Sequence, residues 1–212
     1  MPKPELQAAI DSGVQFWGYE MDGALVGVMG IQPVQDVTLI RHAYVLTSHR
    51  RHGIGGQLLR FLSAQTGTPT LFGTWAAADW AVQFYQKHGF RLVIPEEKDR
   101  LLPKYWDVPQ RQIETSVVLG DQRWFDALLT VWIRRYCPAN KIPEVMAVLA
   151  GYGDQEWHRE PRRVKRDAVI VSRGSLAALK AAIQLADRDY RDVLVGEEVD
   201  PFVIGELKKY GK

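Results

Sequence analysis

The chain has 212 residues, enough for one large domain or two small ones. Its composition, with 46% hydrophobic and 25% charged residues, is typical of a soluble globular protein. A net charge of +2 gives no general attraction to nucleic acid or membrane surfaces, and a single cysteine excludes an intrachain disulfide. Because no segment has the length of a membrane span or the apolar core of a signal peptide, we expect a cytoplasmic protein without a membrane partner.

The first 120 residues carry strand and helix patterns. Asp22-Gly23 is a strong hairpin signal between two of the strands, and Gly89 is placed to end a helix. The segment that contains Pro103 and Pro109 is expected to be irregular. The predicted elements are, in chain order, a helix at 4–11, strands at 14–20, 24–31 and 37–46, a helix that ends before Gly67, a strand at 70–75, a helix within 77–90, and strands at 90–94 and 114–120.

From about residue 121 the pattern is helical alone. Pro143 and Pro161 are each placed at the start of a helix, and Gly151 at the end of one. Two apolar stripes recur at helical spacing: Phe125, Leu128, Leu129, Trp132 and Tyr136, and then Leu176, Leu179, Ile183, Ala186, Tyr190 and Val193. We therefore divide the chain into a domain at residues 1–120 and a small all-α region at residues 121–212.

The stretch Ser48–Leu62 raises a question about the start of the helix that follows the third strand. It contains two arginines and three glycines, at Arg50, Arg51, Gly53, Gly55 and Gly56. The first N–H groups of a helix have no partner within it, and the helix dipole adds partial positive charge there. Glycines allow close approach of a ligand, and arginines add forked donors for phosphate oxygens. The stretch is therefore interpreted as an anion seat that would suit a pyrophosphate.

Two common phosphate motifs are absent from this stretch. It has no Gly-Lys-Ser/Thr of a P-loop, and it lacks the third glycine of the dinucleotide fingerprint. The alternative is a glycine-rich turn whose arginines are simply solvated. The local sequence leaves both interpretations open.

Two motifs in register indicate a known family. Residues 50–55, Arg-Arg-His-Gly-Ile-Gly, match the pattern [RQ]-x-x-G-x-[GA] at a helix start, and residues 84–90, Phe-Tyr-Gln-Lys-His-Gly-Phe, match an aromatic-tyrosine pair before Gly-Phe. Over roughly residues 3–120 the chain thus resembles the GNAT superfamily of acyl-CoA-dependent N-acyltransferases. The phrases "LIRHAYV", "GTWAAADWA" and "RQIETSVVL" look similar to a bacterial branch of it.

The resemblance implies a fold and a reaction. The fold class is α+β, with a mixed, mostly antiparallel sheet flanked by helices and followed here by the all-α region. The implied function is transfer of an acetyl group from acetyl-CoA to a primary amine of a small molecule or protein, by direct attack of the amine on the thioester. The alternative is a non-catalytic acyl-CoA-binding or protein-interaction module derived from such an enzyme.

The resemblance also implies where acetyl-CoA binds. In the superfamily the pyrophosphate sits on the loop amides, and the pantetheine arm runs beside the central strand where two parallel strands splay apart. Those strands are here "HAYVL" and "TLFGTW". The implied cofactor-binding residues are Tyr44, Val45, Leu46, Arg50, Arg51, His52, Gly53, Ile54, Gly55 and Gly56.

The catalytic residues are implied by the same resemblance. Tyr85 matches the usual acid, which protonates the leaving thiolate, while its alternative role is that of a core aromatic. His42 is the candidate base, with a hydrogen-bonded or solvent-facing strand histidine as the alternative. Water chains could also carry the proton, and Glu20, Asp79 and Glu114 are poorer candidates.

The acceptor site is less defined. Four aromatic residues are candidates for its walls or for the core: Trp17, Tyr19, Trp75 and Trp80. His42, His49 and His52 lie on no single helix face, and no carboxylate or cysteine completes a ligand set, so we expect no metal.

Two departures from the superfamily pattern bear on activity. Ala78 stands where many members carry an asparagine that contacts the CoA arm. The chain also starts at what looks like the second helix, so the first strand and helix, roughly forty to fifty residues by ordinary domain size, are expected to be missing. A misassigned start, a second chain or the C-terminal helices could account for the gap.

The C-terminal region carries one basic run, "HREPRRVKR", at residues 158–166. It could contact nucleic acid, but "DRDYRD" at residues 187–192 offers opposite charge, and no aromatic interleaving supports single-strand binding. We therefore expect no nucleic-acid partner, and a helical bundle that packs on the first domain or forms a homodimer contact.

Overall fold

The structure, a computed structural model, describes residues 2–106 and 108–194. Its first part contains α1 (Lys3–Asp11), β1 (Gln15–Met21), β2 (Ala24–Val34), β3 (Val37–Val45), α2 (Ile54–Gln65), β4 (Thr70–Trp75), α3 (Asp79–Lys87), β5 (Arg91–Leu92), α4 (Pro95–Tyr105), α5 (Gln110–Thr115) and β6 (Ser116–Gly120). Its second part contains α6 (Gln122–Tyr136), α7 (Ile142–Ala150), α8 (Pro161–Ser172) and α9 (Leu176–Arg188). Short 3-10 turns lie at Thr47–His49, Ala139–Lys141 and Tyr190–Val193.

The six strands form one mixed sheet in the order β1-β2-β3-β4-β6-β5. All neighbours are antiparallel except β3 and β4, which run parallel. The β1–β2 connection is the expected hairpin, because Asp22 and Gly23 both have positive φ, as the favoured two-residue turn requires. The expected α+β class, with a mostly antiparallel mixed sheet, flanking helices and a following all-α region, is confirmed.

Helices α2 and α3 contribute to an apolar core on the sheet. Leu58, Leu59 and Leu62 of α2 are buried with Tyr85 of α3 against strand residues such as Met29. Full burial of each leucine contributes about 2 kcal/mol, so this face holds the first turn of α2 firmly against β2 and β3.

The expectation of an irregular segment around Pro103 and Pro109 is wrong. Residues 95–105 and 110–115 are the helices α4 and α5. Pro103 lies in the last turn of α4, where few hydrogen bonds remain to be broken, and Pro109 lies just before α5. The apolar stripe of α4 is hidden in the sequence because this helix buries two charged residues, Glu97 and Lys98.

The strand expected at residues 90–94 is also shorter than predicted. Only Arg91 and Leu92 pair with β6 as a strand, although the amide of Val93 still donates to the carbonyl of Val118 at 3.0 Å. Pro95 then starts α4, and its fixed φ favours the helix at that point.

The chain divides into two compact units, with the division between Trp124 and Phe125 inside α6. In the second unit α6 to α9 bury their own core, which includes Ile133, Leu149, Val164, Ala168 and Leu179. Pro143 and Pro161 lie in the first turns of α7 and α8, and Gly151 follows the end of α7, as the sequence predicted. Within the described residues, none of the helices is long and apolar enough to cross a membrane.

Candidate functional site

The parallel strands β3 and β4 separate after a very short ladder. Their paired residues are Thr38 with Thr70 and Leu39 with Leu71, both near the strand starts. Beyond them β3 continues to Val45 and β4 to Trp75, without further pairing to each other in the described chain. The facing backbone edges therefore bound an open wedge with unused N–H and C=O groups, in which an extended polar chain could bind.

A β-bulge at His42 contributes to this separation. The β2–β3 register shifts between Val28 and Gly30, and His42 has a φ of +50°, which histidine tolerates better than most residues. The bulge changes the side-chain alternation, because Ile40 before it and Ala43 and Val45 after it all pack on the α2 core. It thereby turns Tyr44 outward, with 54% of its surface exposed.

The start of α2 presents a row of unpaired amides. Among the described residues, none of the N–H groups from Arg51 to Gly56 donates to a protein acceptor, and the first bond of the helix runs from Gln57 to the carbonyl of Gly53 at 3.0 Å. Arg51 and Gly53 have φ values of +68° and +77°. Left-handed residues in a turn of this kind can point neighbouring N–H groups into one concavity, and such concavities bind anions.

Positive side chains surround these amides. Arg50, Arg51 and His52 are exposed, and the only hydrogen bond in which a described side chain of the three takes part joins His52 Nδ1 to the carbonyl of Arg50 at 3.0 Å. The guanidinium groups are therefore available to a ligand. Together with the helix dipole they give the start of α2 a strong preference for an anion.

The three glycines of the loop are required for different physical reasons. A Cβ on Gly53 would meet only Gln57 Nε2, at 3.9 Å, but Gly53 has the left-handed φ that a side chain would strain. A Cβ on Gly55 would lie 3.3 Å from the Phe84 ring, and a Cβ on Gly56 would lie 2.7 Å from the His88 ring. Two of the glycines thus allow α3 to pack on the start of α2, a contact that the sequence analysis did not foresee.

Tyr85 occupies the centre of an aromatic cluster. Its ring stacks on Phe72 at 3.7 Å between centroids, with edge contacts from Phe84 and Phe90. The residue is 2% exposed, and its hydroxyl has no hydrogen-bond partner in the described part of the chain. Burial raises the pKa of Tyr85, so the hydroxyl keeps its proton at neutral pH and is able to donate it.

His42 has separate surroundings from Tyr85. Its ring lies 5.7 Å from that of Phe16 on β1. Burial lowers the pKa of His42, with a further decrease from Arg41 and an opposing contribution from Glu5. The imidazole is therefore neutral at pH 7 and able to accept a proton.

The structure separates the four candidate aromatic residues of the acceptor site. Trp17 and Tyr19 pack against the α2 core, and the Tyr19 hydroxyl donates to Gln57 Oε1 at 3.3 Å. Trp75 and Trp80 are instead 67% and 76% exposed, at the end of β4 and the start of α3.

A cavity of about 310 Å³ opens at the end of β4. Its walls include Trp75 of β4, Trp106 after α4, Gln112 of α5 and Ser116 of β6. The Trp106 indole covers Gly73, where a Cβ would lie 3.2 Å from the ring. Sequence reasoning missed this cavity because it missed α4 and α5, although Pro95 followed by Glu96 and Glu97 is a helix-start signal.

Metal ligands do not gather in the described residues. No group of three or more His, Cys, Asp or Glu side chains there could hold an ion. His49 and His52 have ring centroids 6.5 Å apart.

Comparisons with known proteins address the family. Residues 12–92 match the model of the acetyltransferase (GNAT) domain. A comparison with curated protein sequences found no match. Among solved structures, a GNAT family acetyltransferase from Elizabethkingia anophelis with acetyl-CoA bound is 20% identical, with a TM-score of 0.44 and coverage of 57% of this chain and 82% of that one.

Two further solved structures have similar values. A GNAT acetyltransferase from Staphylococcus aureus is 21% identical with a TM-score of 0.44, covering 56% of this chain and 76% of its own. The ribosomal-protein-S18-alanine N-acetyltransferase from Escherichia coli is 16% identical with a TM-score of 0.42, covering 57% and 77%.

The GNAT acetyltransferase model thus matches residues 12–92, in agreement with the resemblance drawn from the two motifs. The matched range includes the anion seat of α2 and the aromatic-tyrosine pair of α3. The matched model describes an acetyltransferase domain, which supports acyl transfer in general.

Proposed function

We propose that the protein is an N-acetyltransferase that transfers an acetyl group from acetyl-CoA to a primary amine of a small molecule or protein. The observation that supports this most is the row of unpaired amides from Arg51 to Gly56, placed beside the open wedge between β3 and β4. A turn with merely solvated arginines would not require free N–H groups and an unpaired pair of strand edges in the same place. We assign this function to residues 1–120.

The residues present fit coenzyme A. The amides of Arg51 to Gly56 and the guanidinium groups of Arg50 and Arg51 would hold the pyrophosphate. The backbone of Tyr44 and Val45 would hold the pantetheine arm along the β3 edge. The predicted part of Leu46 is not supported, because its amide donates to the Val26 carbonyl at 2.9 Å and its carbonyl accepts from the His49 amide at 2.9 Å. Because β3 bonds to β2 on its other side, with Tyr44 opposite Val28, this edge is rigid enough to position a ligand.

Two side chains would act as the general acid and the general base. When bound, acetyl-CoA supplies the thioester acyl group. Tyr85 keeps its phenolic proton through burial and would donate it to the leaving sulfur, since its hydroxyl has no protein acceptor in the described chain. His42 is neutral and would accept the proton that the amine loses, directly or through water.

The acceptor would bind in the cavity at the end of β4. Trp75 and Trp106 offer apolar surface, and Gln112 and Ser116 offer polar groups to orient an amine-bearing molecule. A volume of about 310 Å³ suits a compact group, such as a small amine or a single side chain. A cytoplasmic location, a bacterial source and a homodimer contact through α6–α9 stay predictions.

Binding and turnover together test the proposal. Calorimetry with acetyl-CoA and a thiol-release assay with a panel of small amines and amine-terminated peptides should show binding and amine-dependent release of coenzyme A. Binding without thiol release for any acceptor is the result expected of a non-catalytic acyl-CoA module. Absence of binding would overturn the assignment of the seat.

Replacement of Tyr85 tests the acid. Tyr85→Phe removes the hydroxyl and keeps the ring, so turnover should fall by about a hundredfold while CoA affinity is unchanged. Tyr105→Phe is a matched control, because the buried Tyr105 hydroxyl donates to Asp36 at 2.7 Å and so stabilises the fold. Equal rates for the wild type and Tyr85→Phe would remove Tyr85 from the mechanism.

A further inference from the structure

We infer that Arg60, Lys87 and His88 form a second phosphate subsite, which binds the 3′-phosphate on the ribose of coenzyme A. This inference rests on the proposed function, because it requires the pyrophosphate to sit at the start of α2. It adds a basis for selecting coenzyme A over its 3′-dephospho form.

Arg60 and His88 meet beside the first turn of α2, and Lys87 precedes His88 in the chain. A Cβ on Gly56 would lie 2.8 Å from Nε2 of His88 and 3.5 Å from Nη1 of Arg60. The His88 ring is held there by an edge contact with Phe84 at 4.7 Å between centroids. Lys87 is the neighbour of His88 at the end of α3, and it is close enough to contribute to the lowered pKa of that imidazole.

The described residues supply no counter-charge to this cluster. In the described part of the chain, neither Arg60 nor Lys87 forms an ion pair or a hydrogen bond, and both are exposed. Like charges held close together are unfavourable unless an anion joins them. Burial lowers the pKa of His88 first, and the nearby charges of Arg60 and Lys87 lower it further. A bound anion would therefore relieve the repulsion among these three basic residues.

The position of the cluster selects the 3′-phosphate among the phosphates of coenzyme A. Arg60 lies four residues, about 6 Å along the helix axis, beyond Gly56, where the row of free amides ends. The pyrophosphate would occupy the amides themselves. The 3′-phosphate is carried by the same ribose as the pyrophosphate, so it would lie within one sugar's width of the seat, where Arg60 and Lys87 can reach it.

The test compares two ligands that differ by this one phosphate. Titration calorimetry would measure the affinities of coenzyme A and 3′-dephospho-coenzyme A for the wild type, Arg60→Gln and Lys87→Gln. Arg188→Gln and Lys180→Gln are matched controls, because both remove an exposed charge from α9 in the second unit. Thermal melting without ligand would check that every variant is folded.

We expect the wild type to bind coenzyme A at least about tenfold more tightly than the 3′-dephospho form, as hydrogen bonds to charged groups predict. Arg60→Gln and Lys87→Gln should each lose most of that preference, with unchanged affinity for the 3′-dephospho form, and the controls should retain it.

Equal binding of both ligands by the wild type would overturn the inference and leave the proposed function intact. An equal loss for both ligands in the variants would also overturn it, because it would show general attraction and no contact with the 3′-phosphate. Binding of neither ligand would overturn the proposed function, and this inference with it.

Discussion

Two basic segments of similar composition lie at the starts of helices in this protein. In only one of them are the described basic side chains without ion pairs. Residues 48–53 lead into α2 with arginines and histidines, and residues 158–166 lead into and begin α8 in the same way. In the first run the amides from Arg51 onward have no protein acceptor in the described chain, and the arginines are exposed. The first run is thus available to a ligand.

The second run is engaged within its own unit. Arg163 pairs with Glu160 at 3.2 Å, Arg166 pairs with Asp167 at 2.6 Å, and the guanidinium of Arg162 lies 3.2 Å from the centre of the Phe125 ring. Pro161 at the start of α8 also removes one of the N–H groups that a helix start would offer. These contacts disfavour nucleic acid as a partner of this run.

The comparison shows that charge composition alone does not define an anion site. What matters is whether the amides and basic side chains are free to bind a ligand. That depends on the backbone conformation and on whether carboxylates lie next to them. His158 illustrates the opposite case, because its Nδ1 accepts from the amide of Gly153 at 2.6 Å and its Nε2 lies 2.9 Å from Asp187 Oδ1. An imidazole whose two nitrogens are both engaged holds a loop in place, and it has none left for a ligand.

The largest expected effect concerns the seat itself. Gly53→Asp places a carboxylate among the free amides, and its repulsion of a phosphate at about 4 Å is of the order of 4 kcal/mol. Acetyl-CoA affinity by calorimetry should fall at least about a hundredfold. Gly13→Asp is a matched control, because Gly13 also has a positive φ and open surroundings, and it should bind normally. Normal affinity of Gly53→Asp would show that the loop is not the seat.

The second prediction concerns the paired run. His158→Ala removes a side chain that is 3% exposed and leaves the Gly153 amide without its acceptor, so the free energy of unfolding should fall by about 2 kcal/mol. Urea unfolding followed by circular dichroism measures this. His52→Ala, in the open run, is the control and should change stability little, because His52 is exposed. Similar losses for both variants would contradict the distinction between the two runs.

The strands and the seat were accessible from sequence because their signals are local. Asp22-Gly23 fixes a hairpin, and the arginines and glycines around the start of α2 predict a phosphate seat. The cavity was not accessible, because α4 buries Glu97 and Lys98 and so lacks a readable apolar stripe.

Contacts between elements were equally hidden from the sequence. Nothing local shows that His88 would cover Gly56, or that Phe72 would stack on Tyr85. Such contacts depend on how α2 and α3 pack on the sheet, whereas the motif that singled out Tyr85 is a feature of the family.

A smaller effect is expected from single arginines. Arg51→Gln should weaken acetyl-CoA binding by about fivefold at low salt and by less at 0.15 M salt, because the exposed charge is screened there. Arg163→Gln removes the same charge from the paired run and should leave affinity unchanged. Calorimetry at two salt concentrations measures the acetyl-CoA affinity of both variants. A loss that does not depend on salt would indicate that Arg51 acts by shaping the loop.

The smallest effect concerns acid stability of the second unit. The hydrogen bond from His158, followed by that from Trp157, lowers the pKa of Asp187 below its usual value. A carboxyl whose folded-state pKa is depressed adds stability above its unfolded pKa, near 4, and loses that contribution as the pH falls through its folded value. Asp187→Asn keeps an acceptor for both donors but does not titrate, so its unfolding midpoint in urea should fall less steeply between pH 5 and pH 3 than that of the wild type. Asp192→Asn removes an exposed carboxyl for which α9 supplies no such donors, and it should follow the wild-type slope. Identical slopes for all three proteins would mean that the His158–Asp187 contact does not persist in solution.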